Sequence, residues 1–150
     1  MQDDTIRAIT RLMAEQTAAY KSLESLTMQL TGALTRCEPV QIEAMSASGE
    51  GELVRMRARL LEIANKLSVY TQHRASDPDA GPIDPQLREQ CETASAELVA
   101  AAKAYRTMAE RVARLVNNGE SYVSACIQKC GVAPTTYRPP IIKYSVGAAV

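Results

Sequence analysis

The sequence predicts an all-α fold: an elongated antiparallel three-helix bundle, or coiled-coil hairpin, followed by a proline-rich, non-helical C-terminal tail. Three observations carry this. Apolar residues recur at alternating three- and four-residue steps along three long stretches, the spacing that aligns side chains on one helix face. Prolines stand only at Pro39, between Pro78 and Pro85, and from Pro134 onward, so the stretches between are free to be helical. The segment 132–150 holds Pro134, Pro139 and Pro140 among extended-chain formers and cannot continue a helix. Residues 1–131 are therefore expected as one helical body and 132–150 as an extended tail, either packed back or free.

The first helix is expected over residues 4–37, with Asp3 or Asp4 capping its first turn. Its seam runs Ile6, Ile9, Met13, Gln16, Tyr20, Leu23, Thr27, Leu30, Leu34 and Cys37. Leu12, Ala19, Leu26 and Ala33 widen that seam into a face that can touch two neighbouring helices rather than one. Pro39 suits the first turn of a second helix, expected over 39–72, because proline lacks the amide that would go unpaired there.

That second helix carries Ile42, Ser46, Gly49, Leu53, Met56, Leu60, Ile63, Leu67 and Tyr70 on its seam. Its start, Ser46 to Gly51, combines poor helix formers with small side chains, so fraying or a kink is expected there. Arg55, Arg57, Arg59, Glu62 and Lys66 read as its solvated side. A loop rich in proline and short polar residues, 73–82, precedes Asp84-Pro85, a cap followed by a first-turn proline. The third helix is expected over 85–130, with a seam of Leu87, Cys91, Ala94, Leu98, Ala101, Tyr105, Met108, Val112 and Leu115. Asn117-Asn118-Gly119 is a place where it could break or kink.

Composition removes several classes of function. Seventeen basic and seventeen acidic residues balance to a formal charge of zero, which gives no field to draw nucleic acid. The N-terminal Met1-Gln2-Asp3-Asp4 lacks the basic-then-apolar pattern of a secretory signal, and no run is apolar enough to span a membrane, so a cytoplasmic protein is expected. With one histidine, no phosphate-cradling glycine loop and carboxylates spread along helix exteriors, the chain offers no convergent set for catalysis, and no enzyme is expected. No cofactor, metal or small-molecule substrate is expected either. Cys37, Cys91 and Cys126 read as reduced core thiols on or beyond the seams. A zinc site from Cys126, Cys130 and His73 would require distant segments to meet and lacks a fourth ligand. Tyr20, Tyr70 and Tyr105 read as core aromatics with their hydroxyls at the bundle edge.

The first two helices resemble the FlgN-type flagellar export chaperones. The resembling residues are Leu23-Glu24-Ser25-Leu26 through Leu34-Thr35-Arg36-Cys37-Glu38, then Ile42-Glu43-Ala44-Met45-Ser46, and Glu52 to Leu61 with its arginine-leucine-leucine run. Ala101 to Val116, a small polar break and a tyrosine at Tyr137 are similar to that family's third helix and tyrosine-bearing tail, although Arg138-Pro139-Pro140 stands where the family has a glycine. The resemblance implies a cytoplasmic type III secretion chaperone. Such a protein binds the helical C-terminal segments of hook-filament junction proteins, prevents their premature assembly and delivers them to the export gate, touching the membrane only through the export apparatus.

A partner's amphipathic helix can lie in the groove of an incomplete bundle and needs no catalytic group. The candidate anchors are Tyr105, Met108, Val112, Leu115, Val116, Tyr122, Val123 and Ile127 on the third helix, to which the resemblance adds Tyr137. A second reading stays open: a homo-oligomeric coiled-coil scaffold or adaptor that pairs, as a homodimer for example, through the same seam. The polar interruptions Gln16, Thr27, Ser46 and Gly49 favour the first reading, since a dedicated coil fills its seam more fully.

Overall fold

The computed structural model describes residues 2–77 and 79–129, all helical apart from two connections. Helix α1 spans Gln2–Thr35, α2 spans Pro39–Ser76 and α3 spans Pro85–Lys129. At 1.5 Å per residue they measure about 51, 57 and 68 Å, so the described body is a rod. The expected tail, 132–150, lies outside the described residues.

Packing follows from the width of the α1 face. Ile9, Leu23 and Leu30 are almost fully enclosed, and Leu12, Ala19 and Ala33 beside them are buried too. Two neighbours share that face. α2 runs antiparallel to α1, with Leu26 against Gly49, Gln16 against Met56, and Ile63 among Ile9, Leu12 and Met13. α3 runs parallel to α1, placing Ala94 beside Met13, and Ala101, Tyr105 and Ala109 beside Ala19, Tyr20 and Leu23. Burial of each large aliphatic side chain contributes about 1.5–3 kcal/mol. Among the described residues, α2 and α3 have no Cα pair within 8 Å of each other, so each is held chiefly through α1.

The ends and weak points differ from the sequence expectation in five places. Asp3 and Asp4 lie inside the first turn of α1, where their charge still favours the positive helix end. Cys37, expected on the seam, is exposed and lies beyond the helix with φ of 54°. α2 runs unbroken through Ser46–Gly51, and Gly49 is buried against Leu26, with 3.6 Å from that side chain to where a Cβ would stand, room enough for one. α2 also continues past residue 72 to Ser76, and α3 is continuous through Asn117-Asn118-Gly119. The small residues of α2 leave one flaw: Ser46 Oγ is buried with no hydrogen-bond partner.

The polar interruptions of α1 are filled rather than vacant. Gln16 is fully enclosed, donating from Nε2 to the Met56 carbonyl at 3.3 Å and accepting at Oε1 from Arg59 Nη1 at 3.0 Å. Arg59 is therefore turned toward α1 and not onto the solvated side, with Glu15 3.9 Å from its Nε. Thr17 and Thr27 return their hydroxyls to the carbonyls of Met13 and Leu23. Asp84 caps α3 through a 3.0 Å bond from the Gln86 amide to Oδ1.

Candidate helix-binding groove

α2 and α3 both pack on α1 without backbone contact between them, and a groove lies between them. Met13 of α1 forms its floor, Leu67 of α2 one wall, and Cys91, Ala96, Val99 and Ala100 of α3 the other, around a volume of ≈ 730 Å³. Glu92 and Lys103 stand at its two ends along α3, with Ser95 between them. Val99 is 49% exposed and Leu67 37%, which is large for apolar side chains on a helix whose opposite side is core.

A second groove, between α1 and α2, has a different character. It encloses ≈ 220 Å³ and is lined mainly by Ser22, Ser25, Gln29, Ser48, Glu52 and Arg55. Glu52 is already held by Arg55 at 2.7 Å. An apolar helix would gain little there, so the α2–α3 groove is the candidate site.

The side chains named from sequence fall on both sides of this division. Tyr105 and Val112 are buried, the Tyr105 ring lying 5.8 Å from that of Tyr20 at an interplanar angle of 45°. This tilted pair is a core contact. Met108 and Val116 are half-buried, while Leu115 and Val123 are exposed toward the C-terminal end of α3. The side chains of Tyr122 and Ile127, and Tyr137 as a whole, lie outside what the structure describes. The sequence reading passed over Ala96, Val99 and Ala100, which form an apolar row beside the alanine-rich seam. Their signal was the three- and four-residue step from Ala96 to Val99 and Ala100, hidden by the stronger seam next to it. That seam itself, Ala94, Ala101 and Ala109, is spent on α1.

No titratable group lines the groove floor, and among the described residues no three His, Cys, Asp or Glu side chains gather as a metal site requires. Cys91 is a free thiol, half-buried on the groove wall. Among the described residues no helix is long and apolar enough to cross a membrane. The arrangement can bury apolar surface of a visiting helix and orient it by the two end charges. No family model, curated protein or solved structure matches the chain.

Proposed function

We propose that the protein is a cytoplasmic helix-binding chaperone of the flagellar export type, which takes an amphipathic helix of its client into the groove between α2 and α3. The groove carries the reading: it is apolar, long in the helix direction and bounded by helices that do not close on each other. Helix-in-groove recognition needs apolar anchors at helical spacing and no reacting group, which accords with the poverty of convergent side chains. The resemblance of α1 and α2 to FlgN-type chaperones supplies the client class, the C-terminal helical segments of hook-filament junction proteins. Holding those segments would keep the client unassembled until it reaches the export gate.

Co-purification with hook-filament junction proteins, full length and lacking those segments, tests the reading. Stoichiometric binding is expected to vanish with the segments and to fall at least about tenfold on Val99→Asp, a surface change. Binding that survives both changes, or no binding at all, would sink it.

A further inference from the structure

We infer that a second copy of this chain pairs with the groove face of α3, antiparallel and about a two-fold axis midway between Glu97 and Leu98. The observation is a symmetry in the helix itself. Ala96 and Val99 lie equally far from that midpoint, as do Ser95 and Ala100, so a two-fold axis lays each on the other of the second copy. Farther out on the same face, Glu92 mirrors Lys103 and Glu89 mirrors Arg106. Both pairs are of opposite sign, and no two like charges stand at equal distances from the midpoint along α3 and its cap.

An isologous interface requires this arrangement, because each surface must complement itself after reversal. Parallel pairing would instead set Glu92 on Glu92 and Lys103 on Lys103. The geometry is suitable. Glu92, Lys103, Glu89 and Arg106 are all exposed, and Glu92 and Lys103 flank the apolar contact about 16 Å apart along the helix. Neither Glu89 nor Lys103 has an ion-pair partner among the described residues. Glu92 and Arg106 have only exposed partners on their own helix, Arg88 and Glu110, which hold them weakly.

The pairing covers the groove, so it deepens the function proposed above: a client helix and the second copy compete for Val99. That competition rests on the chaperone reading, whereas the pairing needs only the face of α3.

Sedimentation equilibrium of the full chain from about 1 to 200 µM, at low and high salt, tests it. A dimer that weakens with salt is expected. Glu92→Lys or Lys103→Glu alone places like charges together at both ends and should raise the dimer Kd at least about tenfold. The double variant Glu92→Lys/Lys103→Glu restores opposite signs and should return the Kd to within about threefold of the original. Both positions are exposed, and an unchanged circular dichroism spectrum verifies the fold. A monomer throughout the range, a dimer indifferent to the single reversals, or a double variant no better than the singles would overturn the pairing. A monomer that still binds junction-protein segments overturns the pairing alone. A dimer that obeys the charge cycle and binds no such segment supports the pairing and removes the chaperone reading.

Discussion

Burial raises the pKa of the Tyr20 hydroxyl above the ordinary 10.0, a rise opposed in part by its hydrogen bond to Gln16. The folded state thus favours the neutral phenol more than the unfolded chain does. Its contribution to stability is complete below the ordinary value and is lost as pH rises through the higher folded one. Tyr20→Phe removes that dependence along with the hydrogen bond. Urea unfolding between about pH 8 and 11 should show the wild-type midpoint falling more steeply than that of Tyr20→Phe. Equal slopes would mean that the hydroxyl reaches water. The bond partner itself illustrates what a sequence conceals. Gln16 was legible as a polar residue on an apolar seam, but its use was not, because the Met56 carbonyl and the Arg59 guanidinium that satisfy it come from 40 and 43 positions along the chain. Such a network is fixed by packing, and a helical period carries no record of it.

Among the helices, the most telling detail is the end of α1. The Glu38 amide donates to the Ala33 carbonyl at 3.1 Å and the Cys37 amide to the Leu34 carbonyl at 3.2 Å, the Schellman pattern that closes a helix. That pattern needs a left-handed residue where Cys37 sits, at φ of 54°, and there an L side chain costs roughly 1–2 kcal/mol. Glycine gives back part of that gain as chain entropy. Cys37→Gly should therefore raise the unfolding free energy by about 1 kcal/mol, read as a higher urea midpoint at constant slope. An unchanged or lower midpoint would place the left-handed residue elsewhere. The seam period extended naturally through Cys37, and only hydrogen bonding beyond Thr35 marks the stop, so this boundary was not legible. The unbroken α2 was missed for the converse reason: Ser46 to Gly51 combine low helix propensity with small side chains, yet the segment packs on α1, with Gly49 buried against Leu26, and tertiary packing overrides propensity.

For the molecule as a whole, the sequence conveyed three helices because each buries one periodic face, and periodicity is a property of a single helix. Which apolar residues remain outside is a property of how helices are arranged. Val112 and Leu115 stand on the same seam, yet the first is 3% exposed and the second 39%, while Val99 beside that seam is half in water. Val112→Asp should therefore cost about 3 kcal/mol or more and lower the thermal midpoint by circular dichroism, whereas Val99→Asp should stay within about 0.5 kcal/mol of wild type. Equal midpoints for the two variants would contradict the division between core and groove.

The lack of backbone contact between α2 and α3 has a last consequence, for heredity. Since their backbones stay apart, a change in one reaches the other chiefly through α1 and through the few core side chains they share, Met56 with Tyr105 and Ile63 with Ala94. Substitutions on the outward faces of α2 and α3 are therefore expected to act nearly additively, while α1, packed against both, is the helix least free to change.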